Sequence, residues 1–186
     1  MNYLEAKTFY ENNLKPWLVR AAQKESISID EEAVTSYHRN GKISLRSDAD
    51  DRVRFHELGH RFGYMTGADE VDISEFIRDK NLYSYEEYKD ILEMGVEEVF
   101  DRKSALIRLT AMSDTMGILW QKKIKGFIGH RDNYGQINPT RYAQKEAFAH
   151  MFAYLCLKEA TVITFYQRMY PQFTKSVLDN IQNAFW

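Results

Sequence analysis

Cysteine is almost missing from this chain: Cys156 is the single one among 186 residues. One thiol cannot close an internal disulfide, and such usage fits a reducing compartment. Proline is scarce too. Pro16, Pro139 and Pro171 are all there are, and they mark a helix kink or split, a loop and a helix break. No apolar run approaches membrane-spanning length, and Met1 to Lys7 lacks the basic-then-apolar pattern of a secretory signal. No basic block stands out and the net charge is −2, which argues against an electrostatically driven nucleic-acid partner. These absences describe a chain of the cytoplasm, with neither membrane nor nucleic acid as partner.

What is present is ordinary globular material. Hydrophobic residues make up 44% and charged residues 28%, so the chain can bury a core. The length suits a single domain over residues 1–186, with no repeat, low-complexity tract or linker. Aromatics are plentiful at 14%, and most of those rings belong in the core, with some left to line a groove.

Apolar spacing predicts a helix over 3–24 through Leu4, Phe9, Leu14, Trp17, Leu18 and Ala21, kinked or split by Pro16. Ile27 to Asp30 is a short alternating piece. Residues 34–45 form the best hairpin pattern in the chain, because Asn40-Gly41 between alternating runs suits a turn whose residues both take positive φ. The second arm, Ile43 to Leu45, is expected to be an edge strand leading into the next helix, where an extended peptide could add by strand pairing. His38 on the first arm reads as solvent-facing. Residues 67–92 read as helix, loop and helix, and 97–123 as a long helix with a Met and Leu stripe of core type. Residues 124–140 are loop-like, 143–157 form a strong helix, and 163–185 form another, interrupted near Pro171.

The most informative stretch is Arg52 to Tyr64, which holds His56-Glu57-Leu58-Gly59-His60. Positions four apart share a helix face, so both imidazoles can address one metal ion while Glu57 handles a proton. Chance would produce this pattern in roughly 1% of chains of this composition, which makes it informative. Asp50 and Asp51 are N-cap candidates, and Val53, Phe55, Leu58 and Phe62 offer apolar neighbours. Gly59 and Gly63 each cost about 1 kcal/mol of helix propensity, so something, a substrate strand or a packed helix, is expected to approach closely.

A catalytic zinc site commonly takes three protein ligands and a water. Glu146, set in an otherwise apolar helix, is the candidate third ligand, since a buried acid needs a partner. His150 lies one turn later on the same face. It could itself be a ligand, but the preferred reading has it orienting Glu146 or a zinc histidine. His130, in a glycine-bearing loop, can be read equally as a plain loop residue or as a functional one.

The His-Glu-x-x-His pair with a downstream Glu-x-Phe-Ala-x-x-Phe order resembles the zincins that use a glutamate third ligand, as in the catalytic domain of anthrax lethal factor. Gly129-His130-x-x-x-Tyr134, then Lys145 to Phe152, and the late Tyr170-Pro171-Gln172-Phe173-Thr174 are similar to metallopeptidase regions of tailed-phage minor head (head morphogenesis) proteins. The resemblance spans about residues 35–185, and phage head proteins that carry this region are usually longer than this chain. It implies an α+β, mainly α, zincin-like fold: a small antiparallel sheet or hairpin beside an active-site helix, then a helical half. It implies zinc on His56, His60 and Glu146, with Glu57 as catalytic glutamate. The lethal-factor tyrosine that steadies the transition state would fall to Tyr134 or Tyr142, and neither spacing agrees. At the position of His150 the superfamily often carries an acid.

The activity implied is zinc-dependent hydrolysis of peptide bonds, internal rather than terminal ones, in a protein or peptide substrate. Glu57 would act as general base, with Tyr134, Tyr142 or His130 donating to the oxyanion. The resemblance also admits a virion-associated location. The competing expectation is a non-catalytic structural or interaction protein of phage type whose zinc only tightens the fold. The retained Glu57 favours catalysis, whereas a fourth protein ligand, His130 or His150, would favour the structural reading. Nothing in the pattern specifies an oligomeric state.

Overall fold

The computed structural model describes residues 1–24, 27–30, 36–39, 42–88, 90–91, 114–121 and 137–184. Helix dominates. The described elements run α1 (Tyr3–Phe9), a π-helical turn (Tyr10–Leu14), α2 (Lys15–Lys24), β1 (Ile27–Asp30), β2 (Tyr37–Arg39), β3 (Lys42–Arg46), α3 (Asp51–Thr66), α4 (Ser74–Leu82), α5 (Pro139–Leu157), α6 (Ala160–Met169) and α7 (Pro171–Asn183). Residues 85–88, 90–91 and 114–120 are helical as well. Chain contacts group the molecule into two compact units, residues 1–71 with 148–186, and residues 72–147. The sequence reading treats all 186 residues as one domain. The second grouping ends inside the unbroken helix α5.

The predicted helix over 3–24 is present as two α-helical runs joined through a π-helical turn just before Pro16. The chain widens to π-helix over Tyr10–Leu14, where the Lys15 N–H reaches back to the Tyr10 carbonyl. A proline in a helix lacks an N–H and crowds the carbonyl four residues earlier. A π-turn just before it gives that carbonyl room. Phe9, Leu14, Trp17 and Ala21 are buried as expected, whereas Leu4 is 69% exposed and not part of the core.

The sheet departs from expectation in two ways. Its order is β1-β3-β2, so β3 is the centre strand and not an edge. It is mixed, with β1 parallel to β3 and β2 antiparallel to it. Arg39 pairs with Lys42, the register of a two-residue hairpin. The turn residues 40–41 and the first residues of the predicted arm, 34–35, lie outside the described residues. Since β1 and β2 already flank β3, strand addition to the segment leading into α3 is not available. Any peptide pairing by strand addition would have to use β1 or β2.

α3 begins and ends on chemistry visible in the sequence. The Asp50 carboxylate accepts the Val53 N–H at 2.8 Å, satisfying a donor left open at the helix start. Gly67 closes the helix at φ 73, with its N–H on the Gly63 carbonyl. That left-handed conformation suits glycine. α5 starts four residues earlier than predicted. Pro139 takes its first position, and the Asn138 side-chain oxygen accepts the Arg141 N–H at 3.0 Å, a pairing suited to a helix N-terminus.

The core of the first unit is aromatic. Trp17 meets Phe62 edge-on at 5.0 Å between ring centroids and Phe152 at 6.0 Å, while Phe62 lies 5.3 Å from Phe152. Such edge and offset contacts add to the area each ring buries. This cluster ties α2, α3 and α5 together. In the second unit, Tyr88 stacks on Trp120 at 4.8 Å, and Phe76, Met116 and Leu119 are buried.

The two glycines of α3 resolve which partner approaches. A Cβ on Gly59 would lie 3.0 Å from the Ala149 Cα and 3.2 Å from its carbonyl oxygen, so the partner is helix α5 and not a substrate strand. A Cβ on Gly63 would come within 2.6 Å of the Asp69 Cβ. Alanine at either position would gain about 1 kcal/mol of helix propensity, set against about 1–3 kcal/mol of overpacking. Gly59→Ala and Gly63→Ala are therefore each expected to lower the thermal midpoint by a few degrees, checked by circular dichroism. A rise in either variant would show that its contact can relax.

Cys156 sits on the buried side of α5 at 2% exposure. Burial pushes its thiol well above the ordinary range, with Lys158 opposing more weakly. As pH rises through the ordinary thiol range the unfolded chain ionises first, so this group withdraws stability there. A thiol reagent at pH 8 is expected to label Cys156 only after denaturant is added. Fast labelling of the folded protein would contradict the packing of α5.

Candidate metal centre

α3 and α5 each carry a polar pair four residues apart, His56 with His60 and Glu146 with His150. Each pair shares one helix face. The close packing at Gly59 and Ala149 sets the two helices side by side near these pairs. Gly59 lies between the two histidines in sequence, and Ala149 precedes His150. A larger residue at 59 would widen the seam there.

The imidazoles converge. Nε2 of His56 and Nε2 of His60 are 3.1 Å apart, with their rings edge-on at 4.6 Å. The His150 ring lies 4.2 Å from that of His56. Ligand atoms of His56, Glu146 and His150 all lie within 4.8 Å of one another. Two nitrogens bound at about 2.0–2.1 Å to one tetrahedral zinc stand about 3.3 Å apart. The histidine pair of α3 is thus within a few tenths of an ångström of that geometry. Imidazole and carboxylate donors also match what zinc takes, and manganese, cobalt or nickel accept similar sets.

Burial sharpens the case. Glu146 is 0% exposed and His150 4%, amid Ala147, Phe148, Ala149, Met151 and Phe152, each at 4% or less. Placing a carboxylate and an imidazole in such apolar surroundings is costly without strong compensation. A divalent cation gathering these donors would add to it. Glu57 is buried too, at 6%, one residue after His56 on α3.

His150, read from the sequence as orienting Glu146 or a zinc histidine with ligation as the alternative, has its ring beside that of His56 and a ligand atom grouped with those of His56 and Glu146, whereas His60 meets His56 but is not in that group. A signal for this was in the sequence. Glu146 and His150 repeat the four-residue spacing of His56 and His60, so both helices offer a paired face. Tyr142, half-buried, lies one turn before Glu146 on α5, with the Lys145 ammonium 5.3 Å from its ring centre. His130 and Tyr134 lie outside the described residues. Among the described residues, no helix is long and apolar enough to cross a membrane.

Compared with known proteins, the chain matches no family, no curated protein and no solved structure. The functional argument therefore rests on the cluster itself.

Protein purified without added metal is expected to carry about one zinc per chain, measured by elemental analysis, and Glu146→Ala to lose most of it. A metal-free wild type that takes up no zinc when it is supplied would exclude this centre.

Proposed function

We propose that the chain is a zinc-dependent metallopeptidase of zincin-like type, with metal held by His56, His60 and Glu146. The observations that support this reading are the 3.1 Å approach of the two α3 imidazole nitrogens and the Glu146 carboxylate gathered with His56 and His150, with Glu57 next to His56 along α3. When bound, zinc would supply a water acidified to a pKa of about 7 and a means of polarising the scissile carbonyl.

The chain's own residues would do the rest. Glu57 follows His56 on α3 and is buried. It would accept the proton of the attacking water and pass it to the leaving amine, leaving two shorter peptides with a new carboxyl and a new amino group. Tyr142 is the described candidate for donating to the oxyanion, with His130 and Tyr134 as further candidates by sequence. Loss of one such donor typically costs about 2.7–4 kcal/mol of transition-state stabilisation. The outer edges of β1 and β2 are the strand positions left for an extended peptide. The zincin and phage-head resemblance agrees with this reading.

One observation favours a second reading. His150 stands in the cluster with His56 and Glu146, and if His60 joined these three the site would be closed by four ligands, the pattern of structural zinc. The chain would then be a non-catalytic, phage-type structural or interaction protein.

Glu57→Gln separates the two. In the peptidase, this variant keeps its zinc and its thermal midpoint while cleavage of a mixed fluorogenic peptide library falls about 10²–10⁴-fold. Zinc-loaded wild type that cleaves no peptide in the library would favour the structural reading.

A further inference from the structure

We propose that Gly59 is a positioning residue for the metal: its missing Cβ keeps the donors of α5 within reach of the same ion as the α3 histidines. An alanine there would weaken metal binding out of proportion to its effect on stability. This rests on reading the cluster as a metal centre, and it deepens that reading by naming what fixes the spacing between donors on the two helices.

The two helices place their contact at the same point of the same pattern. Gly59 stands three residues after His56 and one before His60, and Ala149 stands three residues after Glu146 and one before His150. With a helical rise of about 1.5 Å per residue, the donor-bearing positions of each helix lie only about 1.5 and 4.5 Å along its axis from the contact. No loop intervenes, because Asp51–Thr66 and Pro139–Leu157 are each a single helix. A change in separation at the contact therefore passes to the donors almost undiminished. Donors on one helix keep their mutual spacing. The seam sets the distance across, as in the 4.2 Å between the His56 and His150 rings.

Magnitudes decide which property feels such a change first. A Cβ on Gly59 would meet the Ala149 Cα at 3.0 Å, the Phe152 Cβ at 3.1 Å and the Ala149 carbonyl oxygen at 3.2 Å. Carbon atoms settle at about 3.5–4.0 Å, so the helices would part by roughly half an ångström. Two of the three atoms are main chain, and the third belongs to a residue whose ring is packed against Trp17 and Phe62. No flexible side-chain end is there to yield instead. The core would meet this overpacking at about 1–3 kcal/mol, partly offset by the gain in helix propensity. A metal site is less forgiving, because its bonds keep to within about 0.2 Å of their preferred lengths. Gly63 supplies the contrast. It lies on the same helix, but a Cβ there would strike Asp69, in the turn after α3 and not on α5.

The test titrates zinc into the metal-free full chain against a chromophoric chelator, for wild type, Gly59→Ala and Gly63→Ala. The thermal midpoint of each metal-free protein is measured beside it. Both variants should fold and lose a few degrees, and only Gly59→Ala should bind zinc about 10–100-fold more weakly than wild type. The visible bands of the cobalt-loaded protein should change in Gly59→Ala and stay as they are in Gly63→Ala. An equal loss of affinity in both variants, or none in Gly59→Ala, would overturn the positioning role while leaving the metal centre intact. Gly59→Ala that fails to fold would tie the glycine to the fold alone and overturn the role as well. Wild type that binds neither zinc nor cobalt would instead remove the metal centre, and this proposal with it.

Discussion

The contact between Gly59 of α3 and Ala149 of α5 governs the arrangement around the candidate centre. With no Cβ on Gly59, the backbone of one helix rests against the backbone of the other. Helices whose facing positions carry larger side chains pack about 8–10 Å apart. At a wider separation, a donor on α5 would stand too far from the α3 histidines to share an ion with them. The glycine gives up helix propensity, and the short seam brings the paired faces together.

Around that seam the core is built to hold the helices in place. Trp17, Phe62, Phe148 and Phe152 surround the contact with rings at 5–6 Å. Closely packed rings resist small shifts, because a shift of one forces its neighbours off their contacts. Within this apolar surround lie Glu57, Glu146 and His150, all buried. Purely apolar side chains there would be cheaper for stability, since buried charges rarely repay their desolvation. Polar groups retained at such a place, converging from two helices, mark a candidate site.

The sheet contributes position more than chemistry. β3 runs between two partners and hands the chain to α3 through a short acidic loop, where Asp50 caps the helix. With its centre strand paired on both sides, the sheet is a stable platform at the start of the histidine helix. Among the described residues, the outer edges of β1 and β2 are the ones with no strand paired to them.

Local features could be read from the residues because their causes are local. The hairpin pairing follows from Asn40-Gly41 and alternation, the start of α3 from Asp50, and the shared face of His56 and His60 from helical spacing. The π-turn before Pro16 was not foreseen, because it depends on which carbonyls the surrounding packing lets shift. The mixed strand order was beyond reach because β1 joins β3 in parallel across other chain, and pairing at a distance leaves no mark on local periodicity. The placing of His150 against His56 was hidden for the same reason. Sequence alone determined that Glu146 and His150 share one face of a helix and that two histidines share a face of another. Only the tertiary structure decided that these faces meet, because the distance between them is set by how two glycine- and alanine-bearing backbones pack, and not by any spacing along the chain.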